Sequence, residues 1–103
     1  MAHVEIELTL LPKGHGGRST PAGQGYRPQF YYGNGDWDAS YEYDVEGEVP
    51  LGRLVRARLT FLSPGEHRGK VFVGMPFLMR EGARTVGYGR ITALLGLDSP
   101  SAS

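Results

Sequence analysis

Alternation of apolar and polar residues, cut into short runs, constrains the fold of this chain more than any other feature. Across residues 53–62 the apolar side chains take every second position, and most of the residues between them are arginine or threonine. Residues 4–10 repeat the pattern with glutamate and threonine at the alternate positions. A period of two is typical of a β-strand that buries one face. The buried face of the later strand would then consist of Val55, Ala57, Leu59 and Phe61.

Sixteen glycines and seven prolines are spread along the 103 residues, which favours many short elements over long helices. We predict six strands, at residues 4–10, 28–32, 39–45, 53–62, 71–77 and 85–95. A long loop separates the first two strands, and Glu81-Gly82 predicts a hairpin turn before the last one. In the last strand, Val86 and Tyr88, with Ile91 as a further candidate, alternate with Gly87 and Gly89, so Val86 and Tyr88 are predicted to share one face. Closure of the strands into a small barrel would remove their exposed edges, although the alternation alone leaves a β-sandwich open.

The composition excludes several classes of function. Eleven basic residues balance eleven acidic ones, so no net charge attracts the chain to nucleic acid or to a membrane. Without cysteine there is no disulfide and no thiolate metal ligand. The three histidines lack metal-ligand spacing, residues 14–18 lack the ending of a P-loop, and no nucleophile turn surrounds Ser19. We expect a cytoplasmic monomer that is not an enzyme and binds no cofactor, metal, nucleotide or membrane.

Two blocks of sequence carry a family resemblance. The first is Gly-Gly-Arg-Ser-Thr-Pro at residues 16–21, followed by Gly-Tyr-Arg-Pro-Gln-Phe-Tyr at residues 25–31. The second is Arg-Glu-Gly-Ala-Arg-Thr-Val-Gly-Tyr-Gly at residues 80–89. Together they resemble the C-terminal β-barrel, the third domain, of translation elongation factor Tu. The resemblance implies an all-β, mostly antiparallel fold, a single six-stranded closed Greek-key barrel over residues 1–97. It also implies a stand-alone barrel without the GTPase domain, and we expect residues 98–103 to be a disordered tail.

In that family the barrel contacts the T-stem backbone of tRNA through the loop after the first strand and through the closing hairpin. The matching positions of this chain are Arg18, Ser19, Thr20, Gln29, Arg80, Glu81 and Gly82. The family usually has histidine at the position of Ser19 and glycine at the position of Ala83. The resemblance therefore implies a translation-related binding module with weak tRNA binding. The alternative for the arginines is structural, because they can also tie loops to carboxylates of the barrel.

A second hypothesis is a protein–protein interaction module without an RNA role. It would use the barrel face that packs against other domains in the elongation factor, or the acidic and aromatic segment of residues 36–44. The candidate contact residues in that segment are Trp37, Tyr41 and Tyr43. An interaction module should expose an apolar patch. By contrast, Arg56, Arg58 and Arg90 on outward strand positions would indicate a solvated face.

Overall fold

The computed structural model describes residues 1–97, and the predicted tail at 98–103 lies outside them. Seven strands form one sheet: β1 (Val4–Leu10), β2 (Gln29–Tyr32), β3 (Gly35–Trp37), β4 (Ala39–Tyr43), β5 (Leu54–Phe61), β6 (Pro76–Glu81) and β7 (Arg84–Leu94). The strand order is β3-β2-β6-β7-β1-β5-β4, and every neighbouring pair is antiparallel. The only helical element of the described residues is a 3₁₀ turn at Pro64–Glu66. The all-β prediction is confirmed.

The prediction of a closed six-stranded barrel is wrong, because the sheet is a curled half-barrel of seven strands. Strands β3 and β4 are separated by Asp38 alone, yet they occupy opposite edges of the sheet. β3 pairs with β2, and β4 pairs with β5, so among the described strands no backbone ladder joins the two edges. Side-chain hydrogen bonds instead connect β4 and the residues after it to the loop that precedes β2. The Tyr43 hydroxyl donates to the Tyr26 carbonyl at 2.7 Å, and the Gln24 amide donates to the Val45 carbonyl at 2.9 Å.

The core fills the concave side of the curled sheet. The predicted inner face of β5 is confirmed, since all four of its alternate apolar residues are buried. β1 contributes its own alternate set, which is also buried, and β6 adds Phe77 and Met79. Phe30 on β2 is fully buried, with its ring centroid 4.4 Å from that of Phe77 and 5.2 Å from that of Phe61.

The strand predicted at residues 71–77 is wrong in its position. β6 begins only at Pro76, and the preceding residues form a loop. Val71 and Met75 are buried as the alternation predicts, but Val73 is 60% exposed. Gly74 and Pro76 interrupt the run of apolar residues, and each is unfavourable inside a strand. The strand therefore starts after the glycine and continues to Glu81.

A β-bulge changes which face of β7 is buried. Met79 lies opposite Gly87, whereas the next residue of β6 lies opposite Thr85, so Val86 is an extra residue in β7. Each extra residue shifts the alternation by one position. Gly87 and Gly89 consequently face the core, and Tyr88 faces outward with 49% of its surface exposed. The prediction that Val86 and Tyr88 share one face is wrong for this reason.

Candidate functional site

The Arg18 side chain packs against neighbouring residues of the half-barrel and does not extend into solvent. Its guanidinium lies 3.4 Å from the Glu81 carboxylate, donates to the Thr20 carbonyl at 3.2 Å and lies 4.6 Å from the Tyr26 ring centre. Arg84 bonds the other oxygen of Glu81 at 2.6 Å, and the Tyr26 hydroxyl also donates to this carboxylate. The hydrogen bond from Tyr26, helped by the two arginines, lowers the pKa of Glu81. Glu81 is therefore an ionised centre that organises this loop.

A polar cleft of about 310 Å³ opens beside this cluster. Its lining consists of Gly17, Arg18, Ser19, Thr20 and Arg84. The two hydroxyl residues are exposed, and 54% of the Arg84 side chain is exposed. Both arginines already share Glu81, so an anion in the cleft would meet only one net positive charge. The structure thus brings three of the predicted RNA-contact residues together around a cleft that is largely neutralised.

Two other predicted RNA-contact residues, Gln29 and Arg80, form a separate group on strands β2 and β6. They are opposite each other in register. The Gln29 amide donates to Asp38 at 2.8 Å, whereas the Arg80 guanidinium lies 3.7 Å from Asp36, which is an ion-pair distance without a hydrogen bond. The same guanidinium lies 4.4 Å from the centre of the Tyr31 ring, and its buried Nε has no hydrogen-bond partner among the described residues. The two aspartates therefore place negative charge beside the groups that a phosphate would need here.

Gly82 lies in the two-residue turn between β6 and β7, as the sequence predicts. Its φ of 59° lies in the left-handed region, which glycine adopts without steric cost. Ala83 does not have a positive φ. The change from glycine to alanine at position 83 consequently introduces no backbone strain in this hairpin.

The predicted protein-contact residues are mostly internal. Tyr41 and Tyr43 lie on the inner face of β4, 7% and 5% exposed, with their rings stacked at 5.6 Å. Trp37 is half-buried, and its ring centre lies 4.6 Å from that of the buried His67. Packing against the core thus uses the two tyrosine rings and part of the indole. The segment presents its acidic side chains to solvent, including Glu42 and Asp44.

A row of exposed apolar side chains crosses the outer face of the sheet, and it is not among the predicted sites. Tyr31 lies opposite Leu78, Leu78 lies opposite Tyr88, and Thr9 lies between Tyr88 and Leu54. The exposed fractions are 37% for Leu78, 49% for Tyr88 and 61% for Leu54. Tyr31 and the polar Thr9 are half-buried. We call these five residues the apolar stripe. Because each occupies an outward position of its strand, none of them is required to fill the core.

Two shallow grooves adjoin the apolar stripe. One, of about 360 Å³, lies beside Tyr88 and Leu54 and continues to Glu7 and Arg90. The other, of about 310 Å³, lies beside Tyr31 and Leu78 and is lined mainly by apolar atoms. Leu78 and Tyr88 therefore form a ridge between two depressions, which is a shape that another protein surface can interlock with.

Part of this stripe is visible in the sequence. Leu78 follows Phe77 and precedes Met79, and three consecutive apolar residues in a strand must place one side chain outward. Tyr88 could not be assigned in this way, because the bulge at Val86 reverses its direction.

No model of a known protein family matches the chain. The resemblance to elongation factor Tu therefore stays a prediction that rests on the two blocks of residues. Within residues 1–97, no helix could cross a membrane, and no group of three or more histidine, aspartate or glutamate side chains could hold a metal ion.

Proposed function

We propose that this chain is a protein-binding module whose docking surface is the apolar stripe. The observation that carries the proposal is the row of exposed Leu78, Tyr88 and Leu54 across the outer face, in which only the half-buried Thr9 separates Tyr88 from Leu54. Exposed apolar groups of this kind gain free energy when a partner removes them from water, by about 25 cal/mol per Å². Tyrosine is also among the residues that contribute most to binding energy at interfaces.

The contrast with the neighbouring outward positions supports this choice. Next to the stripe, Arg90 on β7 pairs with Glu7 on β1 at 3.1 Å. On the far side of this pair from the stripe, Arg58 on β5 pairs with Glu42 on β4, also at 3.1 Å. The apolar stripe contains no such pair, so a partner that excludes water from it is the simplest account of its composition.

Site-specific photo-crosslinking tests the proposal. A photoreactive amino acid at position 78 should capture a protein partner, whereas the same group at position 62 should not. Leu62 is the matched control because it is 74% exposed and lies off the stripe. With the captured partner purified, Tyr88→Ser should weaken its affinity at least tenfold, which corresponds to about 1.4 kcal/mol.

Phe72→Ser is the control for Tyr88→Ser, since Phe72 is a comparably exposed aromatic residue, 58% against 49%, outside the stripe. It should leave the affinity unchanged. Equal crosslinking at positions 62 and 78, or equal losses in the two serine variants, would contradict the proposal.

A second candidate function is weak binding of an RNA backbone in the polar cleft. The observation in its favour is the convergence of two arginines and two hydroxyl side chains, with the family resemblance as further support. Glu81 opposes phosphate binding because its carboxylate is shared by both arginines and cancels one of their two positive charges. Glu81→Gln should therefore strengthen binding of a tRNA T-stem hairpin at low salt, and a double Arg18→Ala, Arg84→Ala variant should abolish it.

The exposed Glu46 supplies the control for this experiment, because Glu46→Gln changes the net charge equally at a distance from the cleft. If both glutamine variants change RNA affinity to the same extent, the effect is one of net charge and the cleft is not the site. If the wild-type chain and Glu81→Gln both fail to bind at low salt, the RNA candidate is rejected.

A further inference from the structure

The segment of residues 63–70 lies shortly after β5 and is attached to the rest of the protein through one side chain. Among its eight residues only His67 is buried. Its backbone hydrogen bonds, in which Glu66, His67 and Lys70 donate, all end on carbonyls of the same segment. Within residues 1–97, the hydrogen bond between His67 and Tyr32 is the only one that joins a residue of this segment to another part of the chain. We call residues 63–70 the latch loop, because the fit of one imidazole ring holds it against the sheet.

Three aromatic residues form the slot that holds this ring. The His67 ring is stacked on that of Phe61 with 3.9 Å between the centroids, and the Trp37 ring meets it edge-on at 4.6 Å. Its Nδ1 lies 2.6 Å from the Tyr32 hydroxyl, whereas its Nε2 is buried and has no hydrogen-bond partner among the described residues. Protonation makes both nitrogens donors, so Nε2 would carry a hydrogen and part of the positive charge without an acceptor. An unpaired charge in an apolar slot is strongly disfavoured, and transfer of the ring to water relieves it.

The groups around the slot provide no buried counter-ion for a protonated His67. The slot residues on β2, β3 and β5 are uncharged at neutral pH: Tyr32, Trp37 and Phe61. On the latch loop, Lys70 opposes a positive charge at His67 and the exposed Glu66 favours it, and His3 of the N-terminal segment opposes it. The aspartates on either side of Trp37 are engaged elsewhere, with Gln29 and Arg80: Asp38 and Asp36. Burial is the largest cause that lowers the pKa of His67, and the positive charges add to it more than Glu66 opposes it.

We infer that the latch loop responds to pH: it is closed while His67 is neutral, and it opens when protonation moves the imidazole from the slot into water. Gly65 and Gly69 lie on either side of His67, and Gly69 already has a φ of 77°, so the loop backbone can change direction without moving β5 or β6. Opening uncovers the three slot rings and breaks the hydrogen bond to Tyr32, which also lines the groove beside Leu78. The closed loop loses its advantage as the pH falls below the ordinary histidine pKa of 6.5, by about tenfold per pH unit until the pKa of the closed state is reached.

Acrylamide quenching of Trp37 fluorescence tests this inference, because Trp37 is the only tryptophan of the chain and its ring contacts His67. The full chain is measured at pH 7.5, 6.5 and 5.5, with far-UV circular dichroism at each pH to follow the fold. In the wild type the bimolecular quenching constant should rise about twofold from pH 7.5 to 5.5, as the half-buried indole becomes exposed while the fold persists. His67→Phe cannot be protonated and should keep the low constant at every pH. The exposed His15 supplies the matched control, since His15→Gln should show the same rise as the wild type.

Tyr32→Phe is a second test that leaves the histidine in place. It keeps the ring and removes the hydrogen bond between Tyr32 and the latch loop, so the rise should begin at a higher pH than in the wild type. A constant that does not rise in the wild type, an equal rise in His67→Phe, an unshifted rise in Tyr32→Phe, or a rise that coincides with loss of the circular dichroism signal would each overturn the inference. The crosslinking at position 78 is done at pH 7.5, where the latch loop is closed, so the proposed function stands or fails independently.

Discussion

Protonation of His67 should destabilise the fold as the pH falls below 7. His67 is fully buried, with its ring centre 3.9 Å from that of Phe61 and its Nδ1 2.6 Å from the Tyr32 hydroxyl. Its Nε2 is buried without a hydrogen-bond partner in the described part of the chain. Burial, followed by the positive charge of Lys70, lowers the pKa of His67 below its ordinary value of 6.5, and Glu66 opposes this only in part.

The size of the effect follows from proton linkage. The folded chain protonates the imidazole at a lower pH than the unfolded chain does, in which the ordinary pKa is 6.5. The contribution is complete above the unfolded pKa and is lost as the pH decreases toward the folded pKa. Between pH 7.5 and 5.5 the loss in the free energy of unfolding cannot exceed about 1.4 kcal/mol, which is the limit for a histidine that stays neutral in the folded state.

Urea unfolding, followed by circular dichroism at pH 7.5, 6.5 and 5.5, measures this loss. His67→Phe keeps an aromatic ring between its neighbours, and its loss of stability over this range should be smaller than that of the wild type, by up to about 1.4 kcal/mol. The exposed His15 is the control, and His15→Gln should keep the wild-type pH dependence. His3, whose pKa is also lowered chiefly by burial, remains in all three chains. The same pH dependence in His67→Phe and wild type would refute the reasoning.

Three further substitutions test the packing of the core by urea unfolding. Tyr41→Phe should leave stability unchanged or raise it by up to about 1 kcal/mol, because the Tyr41 hydroxyl is buried without a partner among the described residues. Tyr43→Phe should lower the free energy of unfolding by about 1 kcal/mol, because the Tyr43 hydroxyl donates to the Tyr26 carbonyl at 2.7 Å. Equal effects of Tyr41→Phe and Tyr43→Phe would contradict both expectations. Gly89→Ala should cost about 3 kcal/mol, since the added Cβ would overlap the Glu7 carbonyl oxygen, and a loss under 1 kcal/mol would show that β1 and β7 can separate easily.

The parts of the fold that are predictable from the sequence depend on local alternation. β1 and β5 keep a strict period of two, and their bounds differ from the prediction by at most one residue. The direction of Tyr88 depends instead on the register between β6 and β7, which one extra residue reverses. The absence of closure among the described strands has a similar origin. The chain passes at Asp38 from β3 at one edge of the sheet to β4 at the other edge, and no ladder joins these two strands. No local pattern encodes either choice.

The candidate site also has one part that is predictable from local sequence and one part that depends on residues distant in the chain. The Gly-rich loop and the closing hairpin are visible as motifs, and the structure does place Arg18 beside Glu81, 63 residues further along the chain. The sequence leaves open whether such an arginine binds phosphate or a carboxylate. That choice depends on the position of Glu81 between Arg18 and Arg84, and on the hydrogen bond that Tyr26 adds. Partners distant in sequence thus decide the electrostatics of the cleft.

The side chains on the outer face of the sheet indicate whether the half-barrel is fully exposed to water or is covered by a partner. Arg56, Arg58 and Arg90 all point outward, as the alternation predicts, and two of them form ion pairs with glutamates. Exposed pairs of this kind add little stability, so their main effect is to keep the surface hydrated. Leu54 and Tyr88 lie two residues before Arg56 and Arg90 on the same strands and face the same side. Polar residues at these outward positions would leave the core unchanged, so folding alone does not account for the apolar stripe, whereas a docked partner would.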